Sequence, residues 1–273
     1  MLNRILIALV GIPLLIYILY FGGIPLLIFT NLIIGIGLLE FYKMSKAANK
    51  KPNILLGVCA GLSLPNMLYF LEEKNLMFAF ALPIVVTIIL TMTKRVLKNQ
   101  IEDASIEVGE TVLGIGYVSY LFSHILLISK LPNGGKWLLT AQVLVWVCDS
   151  FAYFVGISIG RKFFKNGFSV ISPKKSVEGA IGGIIFTVIT LFLINWKWNL
   201  INGNFVFIKI LSTGILIALV AQIGDLGESM YKREFKIKDS SRILGEHGGI
   251  LDRFDSMLFV IPVVYYVLKF FVI

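Results

Sequence analysis

Nine stretches of the chain are almost uninterrupted runs of apolar residues, over roughly 4–21, 24–42, 54–71, 76–93, 106–129, 137–157, 179–196, 205–227 and 254–272. A helix needs about 20 such residues to cross the hydrocarbon core of a bilayer, and most of these runs supply them. Pro65 interrupts the third run, and only Gly22–Gly23 separates the first from the second. The first run lacks a small-x-small cleavage site and leads straight into Pro25, so it reads as an uncleaved span rather than a signal peptide. The pattern predicts an all-α, polytopic integral membrane protein with about nine transmembrane helices.

The polar positions between the runs orient it. Nineteen of the 25 Lys and Arg fall in alternate connections on one side: Arg4, four lysines over 43–51, three basic residues over 94–98, five over 161–175 and six over 232–253. Six lysines, at 74, 130, 136, 197, 209 and 269, fall on the other. The positive-inside bias places the N-terminus in the cytoplasm and the C-terminus outside. Two connections on the basic side, 158–178 and 228–253, are long and rich in polar residues, as functional loops are. No repeat or separate soluble domain is visible. The chain reads as one membrane unit, with an N-terminal transmembrane region over 1–100 and a C-terminal region over 101–273 that carries the chemistry.

Composition narrows the class further. Apolar residues make up 57% of the chain and charged residues 15%, and mean hydropathy is +0.86. Disorder and a disulfide scaffold are excluded, the latter because there are only two cysteines. Cys59 and Cys148 lie inside apolar runs and are expected to act as small buried hydrophobes. A net charge of +9 would suggest nucleic acid in a soluble domain, but here the basic residues sit in short loops beside apolar runs and no nucleic-acid partner is implied.

Ionisable residues inside or at the edge of a span are costly and mark function by default. Asp149 stands within VLVWVCDSFAYFVG, with apolar residues on both sides. Asp225 and Glu228, spaced i, i+3, share a helix face at the basic-side end of the eighth run; like charges there repel unless a cation lies between them. Asp252 and Asp255 repeat the spacing in EHGGILDRFDS, with Arg253 between them and His247 just before. Helix capping would account for Asp252 but not for the second aspartate. These acids offer hard oxygen ligands at one membrane–water boundary, suited to Mg2+ rather than Zn2+. Glu228 and Asp149 are further metal candidates. In the other loop, Ser172, Lys174, Lys175 and Ser176 lead into a helix N-terminus and form a phosphate-binding pattern. Arg161, Lys162 and Lys165 read as a juxtamembrane basic patch against anionic lipid. His124, mid-span, reads as a hydrogen-bonded packing residue. Gly156-x3-Gly160 and Gly179-x3-Gly183 read as close helix packing. No Walker, GxGxxG or CxxC motif is present.

Three segments carry a resemblance. DSFAYFVGISIGR (149–161), ISPKKSVEG (171–179) and the stretch from Ser229 through Lys232–Arg233 and Lys238–Asp239 to HGGILDRFDS (247–256) resemble the phosphatidate cytidylyltransferases, or CDP-diacylglycerol synthases. The C-terminal half is closely similar and the N-terminal half is similar only in hydropathy. Where that family has Pro-Gly before the His-Gly-Gly, this chain has Gly245–Glu246. The resemblance implies transfer of CMP from CTP to phosphatidic acid with release of pyrophosphate, Mg2+ as cofactor with K+ as a second cation in some members, and a homodimer in the cell membrane. It implies that Asp225, Asp252 and Asp255 hold metal and act with Lys238 in catalysis. Ser172, Lys174, Lys175, Ser176, Arg253 and His247 would face the CTP phosphates.

The residues agree with that reaction. A lipid phosphate is already an anionic nucleophile, so in-line attack on phosphorus asks chiefly for positioned cations and needs no strong base. One substrate is held in the bilayer and the other in water, which places the site at the cytoplasmic boundary. Two other readings remain at this point. One is a CTP-dependent polyprenol or phytol kinase; the other is a transporter, which would instead spread its acids through the membrane depth.

Overall fold

The computed structural model describes residues 2–164, 167–241 and 248–272, and among them it is helical with no β-strand. Ten α-helices follow in chain order: α1 Leu2–Phe21, α2 Gly23–Ala47, α3 Ile54–Phe70, α4 Leu76–Leu97, α5 Ala104–Gly114, α6 Leu121–Ser129, α7 Gly134–Ile159, α8 Val177–Trp198, α9 Val206–Glu234 and α10 Leu251–Val267. A π-helical stretch, Ile115–Tyr120, joins α5 to α6 in one continuous rod, and another, Leu268–Val272, extends α10. Seven helices are long and apolar enough to cross a membrane. Two shorter apolar helices, Leu9–Phe21 and Ile54–Phe70, occupy the first and third runs. The chain is an all-α polytopic membrane protein.

Local chemistry sets the breaks. Gly22 and Gly23 both adopt φ near +63°, a left-handed pair that ends α1 where L side chains would be strained. Asn53 caps α3 by accepting from the Leu56 N–H, and Ser176 caps α8 by accepting from the Gly179 N–H. Hydroxyls within apolar helices bond one turn back, as Thr30 does to the Leu26 carbonyl and Thr187 to that of Gly183. Pro65 does not stop α3, which runs through it. α9 continues seven residues beyond the expected end of its span, so that 228–234 is helix and the connection to α10 shortens to 235–250. Lys232 and Arg233 in its last turn complement the negative end of the helix dipole.

Glycines let the backbones close up. A Cβ on Gly179 would stand 2.5 Å from the Ala152 carbonyl oxygen, and one on Gly183 would stand 2.9 Å from that of Cys148. The glycine spacings at 156/160 and 179/183 thus mark the seam between α7 and α8. A third contact joins α9 to α10, where a Cβ on Gly224 would meet the Asp255 carbonyl oxygen at 2.8 Å. Tyr42 fills the space left by Gly57 and Gly114, and its hydroxyl donates to the Thr111 carbonyl at 2.7 Å. Cys148 is buried as expected, but Cys59 is exposed on the outer surface of α3, where an apolar thiol can face lipid as readily as core. His124 is buried and packs as expected, its Nδ1 2.8 Å from the Tyr120 carbonyl oxygen.

The helix ends that carry the basic loops are tied to one another. Lys50 pairs with Glu110 and Glu234, each at 2.6 Å, while Arg95 and Lys94 both meet Glu107. Partial burial works against the Lys50 charge, yet its bonds to the two carboxylates outweigh it and hold the ammonium above the usual lysine range. At the opposite end, Lys130 donates to the Leu68 and Tyr69 carbonyls, and Lys269 pairs with Glu73.

The α7–α8 seam generates a stability prediction. Gly179→Ala forces its methyl against the Ala152 carbonyl and should destabilise the protein by about 1–3 kcal/mol, as overpacking does. Thermal unfolding in detergent should show a lowered midpoint; an unchanged midpoint would mean the seam is looser than described.

Candidate active site

A cavity of about 520 Å³ opens between α7, α8, α9 and the loop before α8. Its polar wall carries Asp149, Asp225, Lys174, Lys175, Ser176 and Gln222, and its apolar wall carries Tyr153, Ile157 and Phe168. Sequence reasoning singled out five of these, from three separate segments, and the fold brings them to one place. A larger cavity, about 820 Å³, lies at the ends of α2 and α4. Most of its charges are matched by neighbours: Lys50 by Glu110 and Glu234, Lys51 by Asp103, and Lys94 with Arg95 by Glu107. That balance leaves it little drive to take a charged reactant.

The loop over the smaller cavity is built rather than draped. Glu178 accepts from the Phe163 and Phe164 N–H groups at 2.9 Å each. Arg161 donates to the Pro173 carbonyl, and the Phe168 N–H donates to that of Lys175 at 2.8 Å. Arg161 therefore holds the loop instead of only lining a lipid-facing patch; Lys162 is exposed, and Lys165 lies outside the described residues. Ser176 spends its hydroxyl on the α8 cap at the cavity edge. Gln222 donates to the Ala180 carbonyl at 3.1 Å, fixing α9 against α8.

Charge is unevenly distributed here. Lys175 forms a direct ion pair with Asp225. Asp149 and Asp255 both lie within electrostatic range of Asp225 and of each other, since the Gly224 contact brings α10 against α9. Lys175 and, further along α9, Lys232 are the cations in range. The Asp255 carboxylate accepts from the Ser256 N–H at 2.6 Å, with no second donor among the described residues. Asp149, Asp225 and Asp255 are thus coupled electrostatically, with Lys175 and Lys232 as the cations in range, a balance of charge that suits a divalent cation. Among the described residues, no three Asp, Glu, His or Cys side chains converge closely enough to hold a metal ion alone.

The two i, i+3 acid pairs do not act as pairs. Glu228 is buried and turns to Lys232 at 2.5 Å, away from the Asp225–Lys175 contact. Asp252 is occupied by four donors: Lys232 at 2.8 Å on Oδ1, then the Ser240 N–H at 3.0 Å, the Ser240 hydroxyl at 2.9 Å and the Gly249 N–H at 2.7 Å on Oδ2. Asp252, expected from the sequence to hold metal, has its oxygens on these donors here, as Asp225 has one on Lys175, while Asp255 lies within electrostatic range of Asp225 and Asp149. Ser172 does not line the cavity; its carbonyl accepts from the Lys175 N–H at 3.1 Å and shapes the turn that presents the lysines. Lys238 and Arg253 are exposed and away from the cavity lining. His247, with Gly245–Glu246, lies outside the described residues. Glu40, Ser240, Tyr153 and Phe168 were missed. Glu40 could have been found, being a carboxylate inside an apolar run; nothing in the sequence separates Tyr153 or Phe168 from lipid-facing aromatics.

Comparison with known proteins follows the same lines. The model of a family described as the cytidylyltransferase family matches residues 2–271. A phosphatidate cytidylyltransferase of Bacillus subtilis (strain 168) is 40% identical over 167 residues, 60% of this chain and 60% of that protein. One from Staphylococcus haemolyticus (strain JCSC1435) is 38% identical over 154 residues, 55% of this chain and 53% of the relative. One from Staphylococcus aureus (strain COL) has the same identity and coverage. The chain spans little more than half the length of the curated relatives it matches.

The crowding of acids makes a prediction independent of any activity. Asp255→Asn removes one of three mutually repelling charges and should stabilise the metal-free protein by roughly 0.5–2 kcal/mol. In chelator, its unfolding midpoint should exceed that of the unaltered chain by a few degrees. A lower midpoint would show that the Asp255 charge is already compensated.

Proposed function

The chain belongs to the cytidylyltransferase family, and from that premise we propose that it transfers CMP from CTP to phosphatidic acid, forming CDP-diacylglycerol and releasing pyrophosphate. The curated relatives bear the name of this reaction. The observation that carries the reading is the single cavity in which Lys174 and Lys175 face Asp149 and Asp225 beside an apolar wall of Tyr153 and Ile157. Anionic head groups and an apolar glycerol backbone are accommodated there together. The membrane is the cell membrane, and the cavity opens at its cytoplasmic boundary, where the lipid arrives laterally and CTP from water.

In this reading the chain supplies position and charge. Lys174, exposed at the cavity rim, meets the polyphosphate of CTP as it enters. Lys175 moves from Asp225 toward the phosphate oxygens, exchanging one anion for another. Asp225 and Asp255, with Asp149 beside them, would hold Mg2+, and the bound cation would supply neutralisation of charge on the transferring phosphoryl group. Mg2+ is commonly bound through one or two carboxylates, with water and substrate phosphate completing its shell, so the residues fit without a larger cage. The attacking lipid phosphate brings its own negative charge, and no side chain has to take a proton from it. The built loop keeps the lysines over the reacting phosphorus, which favours in-line attack.

The test is a micelle assay with α-labelled CTP and phosphatidic acid. Label should enter the lipid only when Mg2+ is present. Label left in water as CDP beside a phosphorylated lipid would assign a kinase instead. Asp225→Asn should lower turnover by about 10²–10³-fold, the usual loss when a group stabilising transition-state charge is removed. Lys174→Ala should chiefly raise the KM for CTP, by about tenfold, the equivalent of one lost charged hydrogen bond. Near-normal kinetics in both would detach the cavity from the reaction.

A further inference from the structure

Glu40 sits near the end of α2, on a helix that is otherwise almost wholly apolar, and it is 1% exposed. A carboxylate so placed is costly unless donors surround it. Four do. Oε1 accepts from the Ser241 hydroxyl and, at 3.0 Å, from the Ile250 N–H. Oε2 accepts from the Ser240 hydroxyl at 3.2 Å and the Leu251 N–H at 2.8 Å. The last donor of each pair belongs to the start of α10, whose N-cap residue, Ile250, brings no side-chain cap of its own. One carboxylate, over 200 residues away in sequence, therefore caps α10 and grips the far end of the loop that leads into it.

The grip continues to Asp252. The Ser240 hydroxyl lies within bonding distance of both Glu40 and Asp252, and its single proton can serve only one at a time, so it couples the two carboxylates. Gly249 is enclosed by the same groups: a Cβ there would stand 2.0 Å from Ser240 Oγ and 2.6 Å from Glu40 Oε1. Asp255 follows one turn along α10, so the rotation and height of this helix start decide where Asp255 meets Asp225.

We infer that Glu40 is a positioning residue for the proposed reaction: it sets α10 in the register that holds Asp255 opposite Asp225. This rests on the cytidylyltransfer reading, though the grip itself can be measured without it. A glutamine is the discriminating replacement. Each Glu40 oxygen faces one serine hydroxyl, which can turn and accept, and one backbone N–H, which cannot, so the amide nitrogen of Gln would confront the Ile250 or the Leu251 N–H at nearly unchanged volume.

Two readouts test this on the full chain in detergent, with circular dichroism and gel filtration confirming folded protein. The first is hydrogen exchange in peptides covering 248–252, where Glu40→Gln should speed exchange of the Ile250 and Leu251 amides by roughly tenfold or more. The second is kinetic: kcat should fall by about 10–100-fold, as for a small misplacement of reacting groups, with the KM for CTP held within about threefold. Ser240→Ala should lower kcat in the same way, and the double variant should lose less than the product of the two. Unchanged exchange, or a kcat within twofold of the unaltered chain, overturns the inference. Should Glu40→Gln not fold, Ser240→Ala decides by the same exchange and kinetic criteria. Faster exchange in a protein whose unaltered form makes no CDP-diacylglycerol sinks the reaction reading alone and supports the grip.

Discussion

A carboxylate removed from water costs several kcal/mol unless donors or a cation meet it. This chain buries Glu40, Glu107, Glu110, Glu178 and Glu228. Most are met by hydrogen bonds, and mostly from a different segment: Glu107 by Arg95 and Lys94, Glu110 by Ser45 and Lys50, Glu178 by two loop N–H groups; Glu228 has the Lys232 ion pair, but neither of its oxygens accepts a hydrogen bond among the described residues. These pairings form a polar layer at one end of an otherwise apolar bundle. Within the membrane, helices have little hydrophobic reason to choose one neighbour over another, because lipid is as apolar as they are. The polar layer and the glycine seams make that choice, and the loops hang from it.

Against this matched layer, Asp149, Asp225 and Asp255 stand out as acids with too few partners. The division is chemical. Acids surrounded by N–H groups and lysines lock the scaffold, and acids with few donors keep negative charge that only a cation can offset. Asp252 and Asp255 show the division at closest quarters. They are three residues apart in one motif, yet Asp252 is saturated by Lys232, Ser240 and Gly249 while Asp255 borders the cavity acids.

Much of this was legible in the sequence. Runs of about 20 apolar residues read as helices in a bilayer, and among the described residues seven helices long enough to cross one and two shorter apolar helices fall where the hydropathy pattern puts them. The glycine spacings announced the α7–α8 seam, and clustered acids and lysines announced the site. Helix ends were less legible, because ESMYKRE at 228–234 is polar enough to read as loop yet is made mostly of good helix formers, and α9 simply continues through it. Partner choice among acids was not legible. Spacing i, i+3 places Asp225 with Glu228, but Lys175 and Lys232, from different segments, draw them apart. Glu40 itself stood out as a carboxylate inside an apolar run, but its partners were hidden for a related reason, since its four donors lie some 200 residues downstream.

The length of α9 has a consequence for the bilayer itself. Asp225 is the twentieth residue of this helix, so it stands about 29 Å along the axis from the first, close to one hydrocarbon thickness. The nine residues beyond it reach about 13 Å further, through the head-group layer. α9 is thus long enough to work as a gauge rod, carrying Asp225 about one hydrocarbon thickness from its first residue. In a bilayer markedly thicker than that span, the Asp225 end of it would lie below the head groups, and the lipid around the protein would have to thin to restore the match, since tilting would only shorten the reach of the helix.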